Sequence, residues 1–338
     1  MTKLNEKEII DLFYSTLLEK NKIQFQIRDD VSILSFKDLR KNNVKSTNFP
    51  NIIIKCDMLV ESTDVPAGMK PWQIARKSIV SVISDLSAKG AKPYVSLISV
   101  GIPVDYSAKA IASLVEGFRM ASREFGFIIA GGDTNQTKEL IIDCCVLGIT
   151  YRRHLEIPSR NGAGPGDLII VSGMFGYPPA GLKIIMDRAK ATEKFRKRAI
   201  SSVMMPIPRI RFGTILSKYF SSSIDSSDGL ATSLYELATQ SNVDILIKKI
   251  PYGTDLTEFV KHNDLSSREL IFHGGEEYEI VATIPRSNLK QAISCAKRSR
   301  IKFLVIGEAT NGSGNVFIRS RKENKYSLLE NRGYTHLS

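Results

Sequence analysis

The sequence lacks most of the signatures that would assign a catalytic class at once. Its 338 residues contain no GxxxxGK[ST] loop, no HRD or DFG, no HExxH and no GxSxG. Those absences exclude a P-loop ATPase, a protein-kinase-type enzyme, a zincin and an α/β-hydrolase of the usual kinds. Histidine is scarce, and His154, His262, His273 and His336 are scattered along the chain. Cysteine is equally scarce. Cys56, Cys144, Cys145 and Cys295 form no CxxC pair, which argues against a zinc ribbon. Cys144 and Cys145 are adjacent on an expected strand, so they should face opposite sides as core fillers. No apolar run approaches the roughly 20 residues that span a bilayer, so no membrane partner is expected. The opening MTKLNEKEIIDLFYSTLLEK has acidic residues inside its apolar stretch. It reads as an amphipathic helix carrying Ile9, Leu12, Phe13 and Leu17 on one face, not as a secretory leader. Few cysteines and no leader point to a reducing cytoplasm.

What the chain does have is a globular balance, 43% hydrophobic and 24% charged, at a length that suits two domains. Its formal net charge is +12. The basic residues are dispersed, with denser stretches at 183–198 and 319–325, and no aromatic-interleaved basic strand accompanies them. They read as a solvated surface that also draws in anionic phosphates, so no nucleic-acid partner is expected.

The first half alternates strand-like and helix-like segments. NIIIK at 51–55 is a β-branched run. Residues 71–90 place Ile74, Ile79, Val82, Ile83 and Leu86 at helical spacing. Residues 94–100 read as a strand and 107–125 as a helix. Segments 127–130 and 140–149 then read as strands separated by a turn, GGDTNQTK. The Arg-, Gly- and Pro-rich stretch 151–167 marks a boundary, giving domains at 1–150 and 151–338. Its GAGPG is no dinucleotide fingerprint, because no strand leads into it. Beyond it, a strand at 168–172, helices near 180–189, 212–219 and 231–240, and strands near 244–248 and 279–284 make an α+β second half. The fold class expected is therefore α/β, two domains, with no internal repeat.

Acidic residues recur around these apolar segments. Asp29 and Asp30 precede VSILSF, and Asp57 ends IIIKC. Asp85 lies in VISDLSAKGA and Asp133 in GGDT. Asp225 and Asp228 sit in SIDSSDG, and Glu276 and Glu277 in HGGEEYEI. Any one of them is accounted for as a turn former or a helix cap. Their number suggests convergence around Mg²⁺, which takes carboxylates together with substrate phosphates and so serves phosphoryl transfer. Gly131-Gly132 and Gly274-Gly275 would let backbone approach a ligand closely.

In order, these motifs resemble the thiamine-monophosphate kinase family, within the larger aminoimidazole-ribonucleotide-synthetase-like group. The resemblance spans nearly the whole chain. It runs through DD at 29–30, DMLVE at 57–61, SDLSAKGAKP at 84–93, GGDT at 131–134 and RNGAGPGD at 160–167. VSG, PAGL and MMPIPR follow, then IDSSDGL at 224–230, GGEEYEI at 274–280 and GYTH at 333–336. It implies direct transfer of the ATP γ-phosphoryl group to thiamine monophosphate, giving thiamine diphosphate with Mg²⁺ and no phosphoenzyme. It also implies a homodimer whose N-terminal sheets pair into a barrel, followed by a C-terminal α+β domain. By position it implies Asp30, Asp57, Asp85, Asp133, Asp225 and Asp228 as metal ligands. Gly132, Asp133, Arg160 and Ser227 become ATP contacts, and Asp64, Glu276 and Tyr334 substrate contacts.

The chain departs from the family pattern at Arg28, at Lys55-Cys56, where Ser-Thr is usual, at Asp64, where His is usual, and at Val82. Alternation puts Lys55 on the face of Asp57. There its ammonium either replaces one Mg²⁺ ion or points into solvent. Two other readings stay open: a related ATP-dependent enzyme with a different small-molecule acceptor, and a nucleotide- or nucleic-acid-binding protein without catalysis.

Overall fold

Two β-sheets organise the chain, with one helix wedged between them. The computed structural model describes residues 8, 29–35, 50–152, 156–320 and 325–332. The amphipathic helix expected around residues 9–17 lies outside these, as does Tyr334.

The first sheet contains β1 (Ser32–Ser35), β2 (Asn51–Val60), β3 (Lys92–Pro103), β4 (Ile128–Thr137) and β5 (Ile141–Thr150), in the spatial order β1-β2-β5-β3-β4. Only β3 and β4 pair in parallel. Helices α1 (Pro71–Ala88) and α2 (Ala108–Phe125) cover one face. Strict alternation along β5 fixes that face: Ile142, Cys144 and Val146 are buried, while Asp143, Cys145 and Leu147 are half-buried on the other side. Cys144 and Cys145 thus face opposite ways. No described element covers the second face, where Met58, Leu97 and Ile128 are exposed.

Helix α1 begins on a proline, preset for the first turn, and Gln73 accepts the Lys70 N–H at 3.0 Å. It stops at Gly90, whose φ of +71° suits a helix terminus. Fourteen of its 18 residues are buried, so it is a helix enclosed by two layers and not a surface helix. Helix α2 is amphipathic. Ser107 caps its start by accepting from the Ala110 N–H, Gly126 ends it in the left-handed region, and Leu114, Phe118 and Ala121 face the core.

The second sheet contains β6 (Leu168–Val171), β7 (Ser222–Ser226), β8 (Val243–Ile247), β9 (Glu279–Ile284), β10 (Leu304–Asn311), β11 (Val316–Arg319) and β12 (Tyr326–Leu328), ordered β12-β11-β8-β10-β6-β9-β7. It is antiparallel except between β8 and β11. Helices α3 (Tyr177–Met186), α4 (Glu193–Met204), α5 (Ile210–Leu216), α6 (Leu230–Ser241), α7 (Thr254–His262) and α8 (Arg286–Arg298) flank it. Ile169, Val171 and Val281 enter one core, with α3 and α6. Leu168, Ile170, Ile280 and Ala282 enter another, with α5 and α8. Burial on both faces is why LIIV and the IVA of β9 read as unbroken apolar runs.

The sheets meet through the end of α1. Ser223 on β7 donates to Ala88 O at 2.7 Å, and Lys89 Nζ donates to Ser223 O at 2.8 Å. Gly213 of α5 lies so close that a Cβ there would sit 1.7 Å from Ser87 O.

The mixed α/β class expected from the sequence is found. One local expectation is overturned: GGDTNQT is not a turn but the body of β4. A Cβ on Gly132 would lie 1.7 Å from Ile98 O, so glycine admits the strand to the edge of β3, and pairing overrides its turn propensity. No helix among the described residues is long and apolar enough to cross a membrane.

Candidate functional site

Four elements bring carboxylates to the seam between the sheets. Asp30 precedes β1, and Asp57 lies on β2 with its side chain toward the helices. Asp85 is near the end of α1, and Asp225 is on β7. Oxygens of Asp30, Asp85 and Asp225 all lie within 4.8 Å of one another, and all three residues are buried. Lys55 joins Asp57 to this group, its Nζ 3.0 Å from Asp57 Oδ1 and 2.8 Å from Asp85 Oδ2.

Two more cations sit on the far side. Lys89 Nζ is 2.6 Å from Asp29 Oδ1 and 2.8 Å from Asp30 Oδ2, and Arg160 Nε donates to Asp30 Oδ1 at 2.8 Å. Arg160 also reaches Glu236. Burial alone would raise the Asp30 pKa, but Arg160 and Lys89 outweigh it and hold the carboxyl at about 2. Asp57 is different: burial and the Asp85 carboxylate push it up to about 7 despite the Lys55 ammonium. Asp225 is raised well above the ordinary range, first by burial and then by Asp85. Crowded carboxylates therefore hold protons that a cation would displace. An all-oxygen donor set of this kind suits a hard ion such as Mg²⁺.

The loop after β7 carries Ser227 and Asp228, and it is zipped to the glycine loop ahead of β9. Glu276 N–H donates to Ser227 O at 2.5 Å, and Tyr278 N–H donates to Ser226 O at 2.9 Å. Glu276 and Tyr278 adopt φ values of +63° and +50°, costly for residues with side chains and typical of over-determined functional loops. Lys77, buried on α1, donates to Asp64 O at 2.5 Å and pairs with Glu276. The Asp64 carboxylate accepts the Val60 N–H at 2.7 Å, closing the turn Glu61–Asp64.

Of the residues expected from the sequence, Asp30, Asp57, Asp85, Asp225 and Arg160 are brought together. Ser227 and Glu276 share one loop pair, which also carries Asp228, and Lys77 ties that pair to Asp64. Gly132 and Asp133 are not brought in. Strand registers place Met58, Asp143, Ser99 and Asp133 in one row across the sheet. That row lies on the uncovered face, one residue out of phase with Asp57. Sequence reasoning missed Lys77 and Lys89. Their signal was present: Lys77 interrupts the apolar face of a helix, and Lys89 directly follows one. A cavity of about 470 Å³ opens elsewhere, beside Tyr177, Arg198, Arg209 and Glu279. Two of its charged residues are already engaged in pairs, Arg209 with Glu279 and Arg198 with Asp255.

Known proteins resemble the chain along its whole length. Residues 43–150 match the family described as AIR synthase related protein, N-terminal domain. A thiamine-monophosphate kinase of Nitrosopumilus maritimus (strain SCM1) is 40% identical over 336 residues, 99% of each chain. One from Pyrococcus horikoshii is 32% identical, over 100% of this chain and 97% of its own. Among solved structures, AaThiL complexed with AMPPCP and TMP superposes with a TM-score of 0.81 at 26% identity, covering 100% of this chain and 99% of that one. Aligned end to end with such relatives, the chain belongs to the thiamine-monophosphate kinase family.

Proposed function

We propose that the protein transfers the γ-phosphoryl group of ATP to thiamine monophosphate, giving thiamine diphosphate, at the seam where Asp30, Asp57, Asp85 and Asp225 converge. The observation that carries this reading is the meeting of three buried carboxylates within 4.8 Å from three separate parts of the chain. Mg²⁺ bound there, with Asp228 and Asp133 as further ligands, would neutralise phosphate charge during in-line transfer. The chain's own part is positioning. Arg160, anchored on Asp30, presents a guanidinium to the nucleotide side, with Gly132 and Ser227 as further contacts. Lys77 holds Glu276 and the Asp64 backbone at fixed separation on the acceptor side. Tyr334 would complete the acceptor side by stacking on a flat ring.

The uncovered apolar face of the first sheet supports a homodimer that pairs these faces into a barrel. In that arrangement Asp133, which lies on the face opposite to Asp57, would point toward the partner subunit. Each sheet draws its strands from one side of residue 150, which supports domains at 1–150 and 151–338. The four cysteines are free, which fits a reducing cytoplasm.

The deciding assay incubates the protein with Mg²⁺-ATP and thiamine monophosphate and looks for thiamine diphosphate. Formation of ADP and thiamine diphosphate in equal amounts is expected. ATP binding without that product would overturn the acceptor.

A further inference from the structure

Lys55 is an unusual occupant of its position. It lies on the helix-facing side of an interior strand, opposite Val146 in the register and two residues from Asp57. A lysine with only a solvent role would belong on the other face, where Cys56 and Met58 are exposed. Instead its Nζ lies 3.0 Å from Asp57 and 2.8 Å from Asp85, bridging the two carboxylates as a shared cation does.

Size points the same way. Mg²⁺ sits about 2.0–2.1 Å from its oxygens and requires near-octahedral surroundings. An ammonium nitrogen already in contact with both oxygens leaves no room for such an ion between them. In the connected group, the carboxylates of Asp29, Asp30, Asp57, Asp85, Asp225 and Glu236 face the cations of Lys55, Lys89 and Arg160. Lys89 and Arg160 contact the Asp29-Asp30 side, so within this group Lys55 alone serves Asp57 and Asp85.

We propose that Lys55 is a permanent cation of this site: its ammonium fills the place between Asp57 and Asp85 that a divalent ion would otherwise take, and the nucleotide-free protein binds one such ion there, not two. The proposal rests on reading the carboxylate group as the metal site. It assigns Lys55 the task of holding Asp57 and Asp85 in place before any metal arrives, so part of the site's charge balance does not depend on the free Mg²⁺ concentration.

The test counts bound Mn²⁺ by electron paramagnetic resonance titration of the full chain without nucleotide or acceptor. One ion per subunit is expected for the unaltered protein and for Lys55→Arg, and two for Lys55→Ser. Two ions in the unaltered protein, or one in folded Lys55→Ser, would overturn the proposal. Should Lys55→Ser unfold in metal-free buffer, Mn²⁺ is expected to refold it with two ions bound. Refolding with one, or no refolding at all, would count against Lys55 as a cation surrogate. A failure of the kinase reading would show up elsewhere, as a missing product with these ion counts unchanged.

Discussion

Asp225 occupies a place where an ionised carboxylate is poorly tolerated, since burial and the neighbouring Asp85 both oppose its charge. Asp225→Asn should therefore have two opposite effects. Phosphoryl transfer should fall on the order of 10²–10³-fold, as when one electrostatic stabiliser is removed. Metal-free stability should rise by about 1 kcal/mol. Kinetics together with urea unfolding would check both, and an Asn variant that is active or less stable would contradict the assignment. Asp57 adds a pH dependence. Its pKa is raised from 3.8 to about 7, so the folded protein holds a proton that the unfolded chain has lost. Metal-free stability should then decline as pH rises from 3.8 toward 7. Protons and the divalent ion also compete for Asp225, whose pKa burial and Asp85 raise, so Mn²⁺ affinity should weaken as pH falls, with proton release visible by calorimetry in two buffers. The carboxylates were legible in the sequence because acidic residues beside apolar runs are conspicuous. Lys77 and Lys89 left a weaker signal, because a helix lysine ordinarily extends its stem to solvent; the fold shows that both ammonium groups end beneath carboxylates.

At the level of elements, helix α1 has the most neighbours to satisfy. Its bidentate Arg76–Glu124 pair fixes it to α2, and Arg76 Nη1 also donates to Pro206 O at 2.7 Å. Its final turn meets β7 and α5. Gly213→Ala would push a methyl group into the Ser87 carbonyl, so a loss of about 1–3 kcal/mol is expected from overpacking, measurable by urea unfolding. Because that strain falls close to Asp85, activity should drop as well. The sequence showed α1, α2 and α6, and strands β2, β3, β5, β6, β8 and β9. Helices α4, α7 and α8 and strand β10 were passed over, and β7 passed for an acidic turn. Helix α4 carries EKFRKRAISSVM, whose charge hides a narrow buried stripe of Phe195, Ala199 and Val203. Strand β4 was cut short because paired glycines imitate a turn when the edge that receives them is unknown.

Across the whole molecule, the first sheet exposes Met58, Leu97 and Ile128 on a face that no described element covers. Leu97, on the interior strand β3, is central to it. Leu97→Asp should convert a dimer to a monomer in light scattering while leaving the fold intact by circular dichroism. If Asp133 acts across the interface, the same change should abolish turnover. A monomer retaining full activity would contradict the cross-subunit role. The spacing of Asp30, Asp85 and Asp225 along the chain has a further consequence, for biosynthesis. The first sheet can be complete when residue 150 has emerged from the ribosome, yet the third carboxylate arrives only with β7. Until then Asp57 and Asp85 have Lys55 for company, and the half-made protein presents no finished cage. Nascent chains would thus pass through a magnesium-rich compartment without capturing an ion too early, and ion capture would mark the moment the two halves have closed on each other.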